Sequence, residues 1–353
     1  MKHRVVIEPL GEVIEVSEGQ TILETALRAG IYLPHGCTHG VCSACKVEVL
    51  EGIVDFGDAS EFALLDCERD EGKCLACCAR PLTDLVIEAD IELDPDARRY
   101  PVQDYEAVVT SVRDISPKIK SIFLALGGQG MRFQAGQYIN LHLPGLDSAR
   151  AFSVASPPSS PNIIELNVAF VQGGEGTGYL HSDLQVGDTV SFSGPYGRFY
   201  LRTSRPEPII FLAGGSGLSG VKSMVMELVE KNDRRPITLI FGARNQDGVY
   251  YRELFEQYAQ EHDNFRFILA LDSGAAGLPG DVKSGRIHEV AKAHFGGKFE
   301  GYNVYVCGPP QMVDACITTL IQGRCFERHL FVENFYNQSS RTSGLKKLVF
   351  SGV

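Results

Sequence analysis

The stretch His35-Gly36-Cys37-Thr38-His39-Gly40-Val41-Cys42-Ser43-Ala44-Cys45 constrains this chain more than any other, because it places three cysteines in one glycine-containing loop. A fourth cysteine, Cys77, follows after the 31 residues 46–76. A C-x4-C-x2-C run with a distant fourth cysteine is the plant-type ligand pattern of a [2Fe-2S] cluster. Two irons need four thiolates, and a loop that supplies three of them must curl with its backbone N–H groups turned inward. Gly36 and Gly40 permit that curl, since glycine enters crowded or left-handed backbone angles without a Cβ penalty. The expected metal ligands are therefore Cys37, Cys42, Cys45 and Cys77.

Two other uses of these cysteines compete. Cys42-x2-Cys45 and Cys74-x2-Cys77 form two CxxC knuckles separated by 28 residues, a spacing that suits zinc. A zinc site leaves Cys37 and the glycines without a job. A disulfide framework needs an oxidising compartment. The opening Met1-Lys2-His3-Arg4-Val5-Val6-Ile7-Glu8 has no apolar stretch of signal-peptide length. No run approaches the ~18 apolar residues of a membrane span. A cytoplasmic location is expected, with the ten cysteines serving cofactor ligation rather than disulfides. Spacing alone leaves Cys78 open as fourth ligand in place of Cys77, and Cys67 and Cys74 as plain buried thiols.

The net charge of −11 is unevenly spread. Residues 1–94 hold 7 Lys/Arg against 19 Asp/Glu, and the remainder holds 26 against 25. The acidity belongs to the cysteine-bearing segment. A field of that sign repels nucleic acid and steers a basic protein surface towards the cluster; solubility alone is the competing account.

With 353 residues the chain is expected to hold two or three domains. Residues 4–16 alternate as a hairpin turning near Pro9-Leu10-Gly11. Thr21-x-x-Glu24 reads as a capping box opening a short helix that Gly30 ends. A strand at Lys46–Leu50, a helix near Glu61–Cys67 and a strand at Asp84–Glu88 complete a small α+β domain, residues 1–94. After a polar, proline-bounded linker the texture becomes β-rich: Tyr105–Val112, Lys120–Leu126, Tyr138–Leu143, Ile163–Phe170 and Thr189–Ser193 have the spacing of a small antiparallel β-barrel, residues 102–203. From Pro208 strands alternate with helices. The strands are Ile209–Leu212, Thr238–Phe241, Phe265–Leu271, Asn303–Cys307 and one near Leu330. The helices are Val221–Glu230, Arg252–Gln260, Ile287–Ala293 and Met312–Gln322. That alternation predicts a doubly wound α/β domain, residues 206–337, followed by a tail, 338–353.

Arg150-Ala151-Phe152-Ser153 is the key quartet of the barrel. An arginine suits a pyrophosphate, an aromatic two residues on can lie against a planar ring, and a serine can hydrogen-bond that ring's edge. Gly173-Gly174-Glu175-Gly176-Thr177 precedes a helix expected to start at Gly178, and backbone N–H groups with a helix dipole make a phosphate seat.

The order of cluster loop, R-x-[YF]-S, G-x-x-[ST] before a helix and C-terminal nucleotide fold resembles the ferredoxin–NAD(P)H reductase superfamily over essentially the whole chain. More narrowly, it resembles the reductase components of bacterial multicomponent oxygenases with an N-terminal ferredoxin domain. The text at Ala135-Gly136-Gln137-Tyr138 and Gly194-Pro195-Tyr196-Gly197 is most similar to phenol hydroxylase and toluene monooxygenase reductases. The resemblance implies FAD, with Arg150 on its pyrophosphate, Phe152 stacked on the isoalloxazine, Ser153 facing N5, and Gly174, Gly176 and Thr177 at the phosphates. The family more often has tyrosine where this chain has Phe152, so stacking survives and the phenolic hydrogen bond does not.

The strand Ile209–Leu212 runs into Ala213-Gly214-Gly215-Ser216-Gly217-Leu218-Ser219-Gly220. Gly215, Gly217 and Gly220 spell G-x-G-x-x-G in a strand–turn–helix context, yet no acid closes the second strand, where Phe241-Gly242-Ala243-Arg244 ends in arginine. The stretch instead resembles the family's G-G-[ST]-G loop at Gly214, Gly215, Ser216 and Gly217, with Gly220 where the family has proline. Cys307-Gly308-Pro309-Pro310-Gln311-Met312 resembles the family's C-G-P-x-x-M loop, which implies Cys307 beside the nicotinamide with Gly308 and Pro309 under it. A buried structural cysteine is the plainer alternative. Glu333 and Phe335 resemble the family's C-terminal E-x-F near the flavin. Arg244 suits a 2′-phosphate, but reductases with this Gly-Ala-Arg run are NADH-linked, and the resemblance implies NADH.

The expected function is electron transfer from NADH through FAD to the cluster and on to an oxygenase docked at the acidic domain of a monomeric, membrane-free reductase. Ser153, Cys307 and Glu333 stand beside the reacting rings. A reductase of a ring-hydroxylating dioxygenase or deoxysugar pathway is the alternative within enzymes. A zinc-structured or redox-sensing interaction protein is the alternative outside them.

Overall fold

Alternation of apolar and polar residues in the strands Lys2–Glu8 and Glu12–Ser17 buries Val5, Ile7, Ile14 and Val16 on one face. The two strands pair antiparallel, Val5 against Ile14, and turn at Pro9-Leu10-Gly11, where Gly11 has φ +66°. The computed structural model describes residues 2–91, 94–146 and 148–334, divided into two units between Gln103 and Asp104. In the first unit, Lys2–Glu8 also pairs in parallel with Leu85–Glu88. The strand Lys46–Glu51 lies antiparallel between Leu85–Glu88 and Lys73–Leu75. The strand leaving the cysteine loop therefore lies beside the strand leading to Cys77, and the Ala76 N–H donates to the Cys45 carbonyl at 2.9 Å.

The helix Ile22–Arg28 covers this sheet with Ile22, Leu23, Ala26 and Leu27. Only half of the expected capping box forms. Thr21 Oγ1 accepts from the Glu24 N–H at 3.3 Å, while the Glu24 carboxylate accepts from Arg28 at 3.1 Å. The helix expected near Glu61–Cys67 lies further on, at Asp66–Asp70. Glu68 sets its start by accepting from the Leu65 N–H at 3.0 Å, and acids in the first turn favour that end of a helix.

In the second unit a six-stranded antiparallel sheet runs in the order Arg150–Ser153, Tyr138–His142, Thr189–Tyr196, Gln103–Ser116, Ile119–Leu126, Ile163–Ala169. A bridge between Val154 and Leu166 joins the two edges, so the sheet closes into a barrel. Val109, Ile122, Leu141, Leu166 and Phe192 fill it.

The following sheet is wholly parallel, in the order Val282–Ser284, Phe265–Leu271, Ile237–Ala243, Ile209–Gly214, Asn303–Gly308, Leu330–Asn334. The edge strand Val282–Ser284 is absent from the sequence expectations; it is three residues long, and two of them are polar. Ile209, Phe211 and Ala213 face one layer with the helix Leu218–Glu230. Ile210 and Leu212 face the other, with the helices Ile287–His294 and Pro310–Gln322. The order reverses beside Ile209–Gly214, and ligands bind outside the carboxyl ends of strands at such a switch point. The barrel residues Ile119, Ala135, Phe199 and Leu201 belong to the first of these two layers, so barrel and nucleotide fold share a core.

Candidate functional site

The cysteine loop curls so that its backbone N–H groups turn towards its own sulfurs. The Cys37 N–H donates to Cys42 Sγ at 3.3 Å and the Val41 N–H to Cys37 Sγ at 3.4 Å. Left-handed angles fall at Thr38, Gly40 and Ser43, whereas Gly36 serves close approach: a Cβ there would lie 3.2 Å from Cys42 Sγ. Ser43 anchors the loop by donating to the Ala63 carbonyl at 2.6 Å.

The thiols fall into pairs. Cys37 is hydrogen-bonded to Cys42, which holds the Cys37 thiol down at about 5 and pushes that of Cys42 up. Cys77 is hydrogen-bonded to Cys45 and to Cys78, which raises it; Cys77 and Cys78 have their sulfurs 3.6 Å apart. Among the described residues no three His, Cys, Asp or Glu side chains close on one point as a single metal ion would need. Two separate groups of thiols, Cys37 with Cys42 and Cys77 with Cys45 and Cys78, suit two irons sharing thiolates better than one ion. Cys74 is fully buried in Lys73–Leu75, and burial lifts its thiol to about 12.

In the barrel, the strand Arg150–Ser153 pairs with Tyr138–His142, Ser153 opposite Tyr138. Phe152 is half-buried against the barrel core and Ser153 is buried. The helix after the glycine run begins at Glu175, three residues before Gly178, with Gly174 as its N-cap. Gly176 and Thr177 thus sit in the first turn. A Cβ on Gly176 would come within 3.2 Å of Arg150 Cγ and 3.1 Å of Leu143 Cδ1. The Arg150 side chain therefore packs against the first turn of this helix. The Thr177 hydroxyl accepts from the Val171 N–H at 3.1 Å and so shapes the loop.

Glu333 reaches the same region from the end of the described chain. A Cβ on Gly197 would stand 3.0 Å from the Tyr138 ring and 4.0 Å from Glu333 Oε2. Cys307 and Glu333 are register partners. Burial raises the Glu333 carboxyl to about 7, and burial followed by the charge of Glu333 pushes the Cys307 thiol well up. Ser153 and Glu333 thus both lie beside Tyr138, and Cys307 stands next to Glu333 in the neighbouring strand. Phe335 lies outside the described residues.

The nucleotide loops depend on glycine for contact with each other. A Cβ at Gly217 would lie 2.3 Å from the Cys307 carbonyl oxygen, and one at Gly214 would lie 2.3 Å from Met312 Sδ. Gly308 faces Met312 and the Gly214 carbonyl in the same way. Gly215 is left-handed at φ +54° with open space beside it. Ser216 accepts at its carbonyl from Ser219 Oγ at 2.8 Å. Gly308 ends its strand, and Pro309 is the N-cap of the helix Pro310–Gln322. Arg244 is exposed just beyond Ile237–Ala243, and its carbonyl accepts from the Ser273 N–H at 3.0 Å.

Three family models match in chain order. They are the 2Fe-2S iron-sulfur cluster binding domain over residues 5–82, the oxidoreductase FAD-binding domain over 106–200 and the oxidoreductase NAD-binding domain over 211–317. The phenol 2-monooxygenase reductase component of Pseudomonas sp. (strain CF600) is 53% identical over 99% of this chain and 100% of its own length. The chain belongs to the reductase components of multicomponent oxygenases. The phenol hydroxylase P5 protein of Acinetobacter pittii (strain PHEA-2) is 47% identical over 98% of this chain and 97% of its own. A crystal structure of a reductase from Amycolatopsis covers 94% of this chain and 98% of its own, at 31% identity and a TM-score of 0.86.

The reductase takes a [2Fe-2S] cluster, FAD and a nicotinamide nucleotide, and its residues fit them. The cysteine thiols lie in two neighbouring groups, Cys37 with Cys42 and Cys45 with Cys77 and Cys78. A side chain at Gly176 would crowd Arg150 and Leu143, at 3.2 and 3.1 Å. Asn334 Oδ1, next to Glu333, is buried without a hydrogen-bond partner, an acceptor that a bound ring can satisfy. Among the described residues no helix is long and apolar enough to cross a membrane.

Sequence reasoning missed two groups in the reductase. Tyr250 donates to the Gly215 carbonyl at 2.7 Å and so braces the nucleotide loop. Lys222 and Glu165 form a buried pair at 2.6 Å between helix and barrel. Neither carries a motif: Lys222 and Glu165 are charged residues in largely apolar runs, Tyr250 is one tyrosine of a pair, and only the tertiary fold brings the partners together.

Proposed function

We propose that the chain is the NADH-dependent reductase component of a phenol- or toluene-type aromatic monooxygenase. Whole-length similarity to phenol hydroxylase reductases carries this reading. When bound, NADH supplies an electron pair, FAD takes it as hydride and releases electrons singly, and the cluster carries one at a time. The protein holds geometry. Cys37 and Cys42 ligate one iron, and Cys45 and Cys77 the other. Cys77 is favoured over Cys78 because it is the thiol hydrogen-bonded to Cys45. Arg150, Gly174, Gly176 and Thr177 seat the FAD phosphates, Phe152 packs on the flavin ring and Ser153 meets its edge. Gly214, Gly215, Ser216, Gly217, Gly308 and Pro309 receive the dinucleotide, with Arg244 at its adenosine end. Cys307 and Glu333 stand by the reacting rings, and Phe335 is expected to join them.

Residues 1–94, 102–203 and 206–337 form the ferredoxin, FAD and NAD domains, with residues 338–353 as a tail. The protein is a cytoplasmic monomer, and its acidic ferredoxin domain docks a basic face of the oxygenase. The purified protein is expected to contain iron without zinc, to bind FAD, and to reduce ferricyanide with NADH in strong preference to NADPH. Reduction of a phenol hydroxylase oxygenase, but not of a ring-hydroxylating dioxygenase, tests the partner. A zinc-loaded, flavin-free protein would sink the proposal.

A further inference from the structure

The helix Leu218–Glu230 begins directly at the nucleotide loop, and two consecutive residues of its second turn grip the barrel. Lys222 Nζ lies 2.6 Å from the Glu165 carboxylate and donates to the Ala155 carbonyl at 3.2 Å. Ser223 Oγ donates to the Ser156 carbonyl at 2.7 Å. Ala155 and Ser156 follow immediately on the flavin strand Arg150–Ser153 and the bridging Val154. The nucleotide loop and the flavin strand are thus tied through a handful of bonds at one place.

A second tie runs through adjacent tyrosines. The Tyr251 hydroxyl bonds Glu165, and bonds Asn167 Oδ1 at 3.0 Å and Ser121 Oγ at 3.3 Å. Tyr250 donates to the Gly215 carbonyl. Tyr251 has φ +55°, a conformation that costs a bulky residue energy and persists where the surroundings impose it. That backbone angle lets neighbouring rings reach different targets, one to the nucleotide loop and one to the barrel.

A pair as buried as Lys222 and Glu165, with side chains 6% and 4% exposed, adds little net stability, because desolvation offsets the coulombic gain. What it adds is direction: one geometry satisfies Lys222, Glu165, Tyr251 and Ser121 together, and a slid helix satisfies none of them. We propose that Lys222, Glu165 and Tyr251 are positioning residues that fix the separation of the nicotinamide loop from the flavin strand and so set the hydride-transfer rate. The inference rests on the reductase reading above.

The test uses the FAD-loaded, full-length protein and stopped-flow reduction of its flavin by NADH over a range of concentrations up to saturation. Lys222→Met, Tyr251→Phe and the double variant Glu165→Met/Lys222→Met are compared with wild type for limiting rate, KM for NADH, FAD content and Tm. Misplacement of reacting groups by about an ångström can cost on the order of a hundredfold. Tyr251→Phe is therefore expected to lose about tenfold or more in limiting rate with FAD content and KM retained. The double variant, which leaves no unpaired buried charge, is expected to recover Tm while its limiting rate stays low. Wild-type rates in Tyr251→Phe and the double variant, or a rate that recovers in step with Tm, would overturn the proposal. Failure of wild type itself to reduce its flavin would instead strike the reductase reading.

Discussion

Cys307 and Glu333 stand opposite each other in neighbouring parallel strands, Asn303–Gly308 and Leu330–Asn334, at the carboxyl edge of the sheet. The pairing draws the end of the described chain back to the switch point where the nucleotide loops meet. It places a carboxyl with a burial-raised pKa of about 7 beside a buried thiol.

That carboxyl gives a pH signature. An unfolded glutamate releases its proton near 4.5, and Glu333 in the fold releases it near 7. Between those values the folded chain binds more protons, so Glu333 weakens stability as pH rises through the window. Thermal melts across it should show a fall in Tm for wild type that Glu333→Gln removes. Identical pH slopes in the two proteins would contradict the assignment.

The cysteine pairs predict a split in activity. On the proposed ligand set, Cys37→Ala or Cys45→Ala would leave an iron with one thiolate from its pair, so cluster iron should be lost. Reduction of cytochrome c, which draws electrons from the cluster, should fall to near background. Ferricyanide reduction through FAD should persist. Equal loss of both activities with FAD still bound would place the exit route elsewhere.

Gly217 predicts a different separation. Its missing side chain leaves room for the Cys307 carbonyl, 2.3 Å from where a Cβ would stand. Gly217→Ala must push the two nucleotide loops apart, an overpacking of about 1–3 kcal/mol. KM for NADH should rise about tenfold, since 1.4 kcal/mol is a decade in binding, while FAD content holds. An unchanged KM would show that the loops can part without consequence for the nucleotide.

How far this could be read from the sequence differs by site. The cysteine spacing, Arg150–Ser153 and the Gly214–Gly217 loop are local patterns, in which chemistry demands particular residues at fixed separations, and the three cofactors they point to were legible. Which thiol pairs with which was not, because the pairing of Cys45 with Cys77 depends on Lys46–Glu51 lying beside Lys73–Leu75. The left-handed Thr38 and Ser43 were hidden for the same reason: neither residue type announces the angle that the loop imposes. The early start of the helix at Glu175 was missed because Gly176 is a poor helix former, and its place in the first turn is set by contact with Arg150. The tie of Lys222, Glu165 and Tyr251 joins residues 57 and 86 positions apart, and no local pattern encodes such a contact.

Charge supplies the last expectation. All of the net negative charge sits in residues 1–94, with 19 acidic against 7 basic side chains, and these include the cysteine loop. Attraction between exposed charges is screened over about 8 Å at physiological ionic strength and about 3 Å at 1 M. An encounter steered by that field must slow with salt, whereas transfer inside one molecule has no encounter to steer. Rapid mixing of NADH-reduced protein with a phenol hydroxylase oxygenase should therefore give a second-order rate that falls by about an order of magnitude or more from low to high salt. Reduction of the cluster by NADH within the reductase, followed by EPR after rapid freezing, should stay within about twofold. If the second-order rate proves indifferent to salt, the acidic segment serves solubility alone and the docking face must be sought on the apolar or basic surface of the chain.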